Sequence, residues 1–190
     1  MKLPDAPWFP IRTKRLLLRE ARESDSADIH AYASDPEVAR YMDWGPNDEA
    51  TTRDVLDRWT KKQAEWPRAD VNLLVEHLAD SRVIGSIRLG VKDLANRSAD
   101  FGHSYNRAYW RKGYGTEAAR AMLAVGFETL GLHRIWATAD VRNRASWSLL
   151  AKLGMRREAR FRRDVFVKGV WRDSYLYAIL AEEWRTAKPL

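Results

Sequence analysis

Arg111-Lys112-Gly113-Tyr114-Gly115-Thr116-Glu117-Ala118 places two glycines among cations where an irregular segment turns into a helix. Glycine lets the backbone come close to a ligand, and a helix start points unbonded N–H groups and the positive end of its dipole outward. That combination cradles phosphate. Other chemistries drop out on composition. The chain has no cysteine, which removes thiolate nucleophiles, thiolate metal ligands and disulfides. His30, His77, His103 and His133 are widely and irregularly spaced, without the i, i+4 pairing of a helical zinc site, so no metal is expected.

The elements that must position this turn are read from periodicity. Leu16 to Ala21 suits a strand, and Ser24 or Asp25 then offers a cap for a helix carrying Ile29 and Tyr32. Asp35-Pro36-Glu37 is a second helix start, running through Tyr41, and Gly45-Pro46 breaks the chain before Val55, Leu56, Trp59 and Trp66 recur at helical spacing. From Asn72 the period becomes that of strands: Leu73–Leu78, Val83–Leu89 and about Ala99–Tyr105 predict an antiparallel meander. After the glycine turn, Ala119, Met122, Leu123, Gly126, Phe127 and Leu130 trace one helical stripe that Gly131 ends. His133–Val141 alternates as a half-buried strand. Ala145–Leu153 is a helix stopped by Gly154, and two strands follow around Lys168-Gly169.

A chain of 190 residues with 45% hydrophobic content buries a substantial core, and one domain over 1–190 is the expectation. The N-terminus lacks the apolar run of a signal peptide, and no later stretch is long enough to cross a bilayer, so a cytoplasmic protein without a membrane partner is expected. The net charge of +7 is mostly scattered among carboxylates. Arg156, Arg157, Arg160, Arg162 and Arg163 are the exception; in a regular strand Arg160 and Arg162 share a face and Arg163 opposes them. A solvated strand and turn is the preferred reading of this cluster, against an anion site or a contact with an acidic partner.

Gly113-x-Gly115-x-x-Ala118 also satisfies the dinucleotide fingerprint, with Asp140 closing the next strand. That reading requires a buried strand directly before the first glycine, where Asn106 to Lys112 is polar and bulky, and it leaves too little sequence for a doubly wound sheet. A P-loop is excluded because no Gly-x-x-x-x-Gly-Lys-Ser/Thr string occurs.

Order and spacing over the whole chain fit better. A strand ends near Tyr105, the loop Arg111–Thr116 caps a helix, a strand runs to Val141, Asn143-Arg144-Ala145-Ser146 opens a second helix and Lys152-Leu153-Gly154-Met155 closes it. This resembles the GCN5-related N-acetyltransferase (GNAT) family. Arg15-Leu16-Leu17-Leu18-Arg19, Tyr109 to Ala118, and Gly169-Val170-Trp171-Arg172-Asp173-Ser174-Tyr175 resemble in particular its branch containing the ribosomal-protein N-terminal acetyltransferases (RimJ/RimL-like), over roughly residues 12–184. The resemblance implies an α+β fold with a central, mostly antiparallel sheet of six to seven strands, splayed in the middle and flanked by helices on both faces. It implies acetyl-CoA as cofactor, with the pyrophosphate on the amides of Arg111, Lys112, Gly113, Tyr114, Gly115 and Thr116. Trp110 departs from the family pattern of glutamine or arginine at that position, which matters little where backbone N–H groups make the contacts.

Moving an acetyl group from a thioester to an amine needs a neutral nitrogen. A lysine-like amine titrates near ~10.4 and an α-amino group near ~8, so a general base or water relay is expected. The departing thiol, at about 8.5 by analogy with cysteine, leaves with modest help. The family often supplies that help as a tyrosine seven residues after the motif asparagine, but Leu150 stands there. The resemblance therefore implies that Asn143 positions cofactor and backbone while Ser146 faces the sulfur, with support of the helix start as the competing role for Ser146. It points to Asp100 as base, and to a backbone N–H near Tyr105 for the oxyanion. His103, three residues on, is the second candidate base, facing the opposite side of a regular strand.

The resemblance implies an amine acceptor, on a protein N-terminus or on a small molecule such as a polyamine or aminoglycoside. Trp44, Trp66 and Trp171 with Asp43 and Asp173 are expected to line its groove. A non-catalytic nucleotide or nucleic-acid binder using the arginine cluster is the competing class. Lack of stacking aromatics around that cluster argues against direct nucleic-acid binding, and homodimerisation is left open.

Overall fold

In a computed structural model, which describes residues 2–186, one sheet of eight strands carries helices on both faces. The strands are β1 (Ile11–Arg12), β2 (Leu16–Arg19), β3 (Asp70–His77), β4 (Arg82–Asp93), β5 (Ser98–Tyr105), β6 (Arg134–Asp140), β7 (Arg156–Val167) and β8 (Val170–Leu180), in spatial order β1-β2-β3-β4-β5-β6-β8-β7. The helices are α1 (Ser26–Ala33), α2 (Pro36–Ala39), α3 (Glu49–Gln63), α4 (Tyr114–Ala124), α5 (Arg144–Lys152) and α6 (Ala181–Thr186). The mixed α+β class and the splayed, mostly antiparallel sheet agree with expectation. The strand beyond the expected six to seven is β1, whose two residues are too few to show a period.

Leucines at Leu73 and Leu74, consecutive and both fully buried, show that β3 is covered on each face. On one face, Met122 and Leu123 of α4, Leu150 of α5 and Leu153 just after it pack with Leu16, Leu73, Ile87 and Ile135. On the other, Ile29 and Tyr32 of α1 and Leu56 of α3 pack with Leu74 and Val83. Arg19, buried at the end of β2, joins this face to the sheet by donating to Asp25 at 2.8 Å and to Glu76 at 2.5 Å. The stripe after the glycine turn is helical as expected, but it changes from α4 to a π-type turn at Val125–Thr129 before Gly131.

One neighbouring pair is parallel, and it is brief. β5 and β6 pair from Ser98↔Arg134 to Asp100↔Trp136 and then separate. Each is held by its other neighbour, β5 by β4 as far as Gly85↔Tyr105 and β6 by β8 as far as Asp140↔Ser174. The gap is therefore built into the ladder.

The arginine-rich strand β7 forms the sheet edge, where charged side chains discourage pairing with another chain. Several of its charges are spent on the neighbouring strands: Arg160 donates to Asp173 of β8 at 2.8 Å, Arg157 lies over the Tyr175 ring of β8 at 4.7 Å, and Glu158 takes Arg134 of β6. The expected alternation of Arg160, Arg162 and Arg163 fails because the register breaks between Phe161 and Val165, with Arg163 at φ +49°.

Candidate active site

Gly113 sits before α4 at φ +83°, a backbone conformation that costs glycine nothing, and the first helical hydrogen bond runs from the Glu117 N–H to the Gly113 carbonyl. The amides of Gly113, Tyr114, Gly115 and Thr116 consequently have no partner inside the helix. Their residues line a cavity of about 720 Å³, and Arg111, Arg142, Arg144 and Lys152 stand around it. Lys112 is on the same turn, its ammonium over the Tyr109 ring at 5.4 Å.

The turn is bolted to the β1–β2 connection. Glu117 accepts the Thr13 hydroxyl at 2.7 Å, the Arg15 backbone N–H at 2.9 Å and the Arg15 Nε at 2.7 Å. Burial pushes the Glu117 carboxyl up, but those three bonds outweigh it and hold the group below its ordinary value. Arg15 also donates to the Lys112 carbonyl at 3.1 Å and lies 4.4 Å from the Tyr114 ring centre. The Arg15–Glu117 pair is a positioning device that the sequence held only as part of a motif.

A second cavity, of about 290 Å³, opens between the parted strands, walled by Thr138, Asp140, Arg172, Ser174 and Asp43. Tyr41, Met42, His103, Asn143 and Ser146 line both cavities. A ligand on the α4 side and one on the other side therefore meet at these five residues.

His103 stands between Phe101 and Tyr105, ring centres at 5.6 and 5.5 Å, and burial pushes its imidazole down to about 4, so it is neutral at pH 7. Tyr105 is pressed close to Gly115: a Cβ there would lie 3.2 Å from the Tyr105 ring and 3.0 Å from Leu149. Burial raises the Tyr105 phenol, keeping it protonated, and its buried hydroxyl has no hydrogen-bond partner. Asn106 gives its N–H to the Ile84 carbonyl at 2.8 Å, so by strand alternation the backbone groups of His103 and Tyr105 face the gap. The Tyr105 carbonyl takes the Trp110 indole N–H at 2.7 Å.

Asn143 caps α5 by accepting the Ser146 N–H at 3.2 Å. The helix-start duty thus falls to Asn143, and the Ser146 hydroxyl is left to the cavities.

Asp100 is not brought to the site. It lies outside both cavities, with its carboxylate 2.8 Å from Arg88 and 3.6 Å from Lys92. The carboxylate is engaged by these two cations on the face away from the cavities, and the gap between β5 and β6 opens only beyond this residue. The expected acceptor groove also dissolves: Trp66 donates to the Pro4 carbonyl, Trp44 packs beside α1 and α3, Trp171 lies exposed against Phe166 with the two rings tilted, and Asp173 is taken by Arg160. Of those five residues only Asp43 lines either of these two cavities. Tyr41, Met42 and Arg172 were missed. Tyr41 was expected inside the second helix, but α2 ends at Ala39, so Tyr41 and Met42 follow it in irregular chain that reaches the cavities; Arg172 alternates with the outward Trp171 and Asp173, a pattern visible in the sequence.

The unbonded amides, the orphaned Tyr105 hydroxyl and the surrounding cations fit a ligand that bears a diphosphate on an extended arm. Comparison with known proteins agrees. Residues 15–156 match the Acetyltransferase (GNAT) domain, and the chain belongs to that family. It is 34% identical over 177 residues to the uncharacterized N-acetyltransferase YnaD of Bacillus subtilis, covering 92% of this chain and 98% of YnaD. A GNAT-family acetyltransferase structure from Bacillus anthracis is 34% identical with a TM-score of 0.80, covering 90% of this chain and 98% of that one. Mycobacterium smegmatis RimJ, solved in complex with CoA-disulfide, is 26% identical with a TM-score of 0.78, covering 90% of this chain and 85% of that one. The protein is an acetyltransferase that uses acetyl-CoA. Among the described residues, no helix is long and apolar enough to cross a membrane.

Proposed function

We propose that the chain acetylates a primary amine by direct attack while both substrates are bound, with a protein N-terminus as the leading acceptor class. The observation that carries this reading is the junction of the two cavities at His103, Asn143 and Ser146. Bound acetyl-CoA supplies an electrophilic thioester carbon and a thiolate able to leave. The amides of 111–116 hold its diphosphate, aided by Arg111 and Lys112, and Tyr105 adds a hydroxyl donor. The backbone N–H groups of His103 and Tyr105 face the place where negative charge develops on oxygen. His103, neutral in the resting protein, takes the proton from the incoming amine, directly or through water. Ser146 donates to the sulfur.

Initial rates measured while both substrates are varied test the direct step. Intersecting double-reciprocal lines are expected. Parallel lines, with acetyl transferred to the protein in the absence of amine, overturn it.

A further inference from the structure

Arg172 is 9% exposed and lines the smaller cavity, yet its Nε and NH1 nitrogens are buried with no hydrogen-bond partner. The nearest acid does not supply one. Asp140 Oδ2 is 3.8 Å from Arg172 NH1, beyond hydrogen-bond reach, and the Asp140 carboxylate is already spent on Arg142, which donates from its backbone N–H and Nε at 2.9 Å each and from NH2 at 2.6 Å. A guanidinium removed from water with unspent donors is costly unless a partner oxygen arrives. The positive field is also felt nearby: Lys168, whose ammonium donates to the Ala39 carbonyl at 2.6 Å, is held below the ordinary lysine range by desolvation and then by the charge of Arg172.

The Thr138 and Ser174 hydroxyls share this wall with two carboxylates, Asp140, already spent on Arg142, and Asp43, so the unspent Arg172 donors and two hydroxyls face the same small volume. A polyamine, cationic at every nitrogen, is repelled by Arg172 and leaves its donors unspent. An amine whose molecule also carries a carboxylate satisfies them. We propose, resting on the acetyl-transfer reading of this site, that Arg172 anchors a carboxylate of the acceptor, making the substrate class an amino-carboxylate: a free amino acid or a peptide N-terminus with an acidic side chain close behind it. At about 290 Å³ the cavity suits one such residue rather than an extended chain.

Two measurements test this. Acetyl transfer is compared for lysine against cadaverine, which differ by the carboxylate, and for the peptide amides Ser-Glu-Ala against Ser-Gln-Ala, which separates the two sources. At least one pair is expected to favour the carboxylate by about tenfold or more in kcat/KM, with the preference falling towards one in R172Q. Binding of glutarate to the CoA-loaded protein, which needs no turnover, is expected to weaken by about tenfold in R172Q, with CoA affinity reporting that the variant is folded. Turnover without carboxylate preference in either pair, and no glutarate binding, overturns the assignment while leaving acetyl transfer standing. Glutarate binding that depends on Arg172, without transfer to any amine, upholds the anchor and overturns the acetyl-transfer reading. Should R172Q fail to fold, the wild-type preference and glutarate binding decide.

Discussion

His103 and Asp100, three residues apart on β5, look to opposite sides of the sheet: His103 lines both cavities between Phe101 and Tyr105, while Asp100 faces Arg88 at 2.8 Å. A base must reach the amine before its pKa matters. Asp100→Asn is therefore expected to leave the pH–rate profile in place, and His103→Gln to lower kcat/KM by about a hundredfold. Because His103 is neutral above about pH 4, the free protein should show no histidine limb between pH 5.5 and 7.5. A displaced profile in Asp100→Asn with an unaltered one in His103→Gln would return the role to Asp100.

The same burial links His103 to stability. Its folded value, about 4, lies below the ordinary 6.5, so on acidification the unfolded chain takes up this proton first. Stability from this source is complete above about pH 6.5 and is lost as pH falls towards 4. Carboxylates titrate in the same window, so the comparison is between proteins: His103→Gln should lose roughly 1–3 kcal/mol less than wild type between pH 7 and pH 4.5 in denaturant melts. Equal losses would show that the imidazole is wetter than its surroundings indicate.

Asn143 and Ser146 separate a structural from a chemical role three residues apart. Asn143→Ala removes the cap on the Ser146 N–H and should cost about 1 kcal/mol of stability. Ser146→Ala retains its N–H and the cap, so it should melt like wild type while kcat falls roughly tenfold to a hundredfold, with CoA affinity kept. Loss of stability without loss of kcat in Ser146→Ala would leave the serine a helix-start residue.

The strand meander, the α4 stripe and the alternation of β6 were legible because apolar residues repeat there over seven residues or more, long enough for a period to show. β1 and the register break around Arg163 were not, since a two-residue strand has no period and a bulge is a property of the pairing. The phosphate turn was legible because its glycines, cations and helix start are adjacent in sequence. The smaller cavity was not, because it is assembled from residues as distant as Asp43, Thr138 and Arg172, while the aromatic Trp171 next to Arg172 is 58% exposed beside Phe166 at 59%. Opposing faces of β5 were foreseeable from alternation; which face the cavities use was fixed only by where β6 turns away after Trp136.

The glycine turn offers the sharpest test of the cofactor site, since its two glycines are required for different reasons. Gly113 is needed for its backbone, at φ +83°, where a Cβ would lie no closer than 3.4 Å to another group, the tip of Arg15. Gly115 is needed for space, with a Cβ meeting Leu149 at 3.0 Å and Tyr105 at 3.2 Å. Gly113→Val should therefore strain the cap by about 1–3 kcal/mol and turn the amides away from the diphosphate, whereas Gly115→Ala should press on Tyr105 and α5 while leaving the cap conformation alone. Calorimetric titration with CoA should show affinity lost by at least about tenfold in Gly113→Val and by less in Gly115→Ala, with melting temperatures lowered by only a few degrees in each. Wild-type affinity in Gly113→Val would mean that the diphosphate is held elsewhere, and the cavity beside α4 would need another ligand.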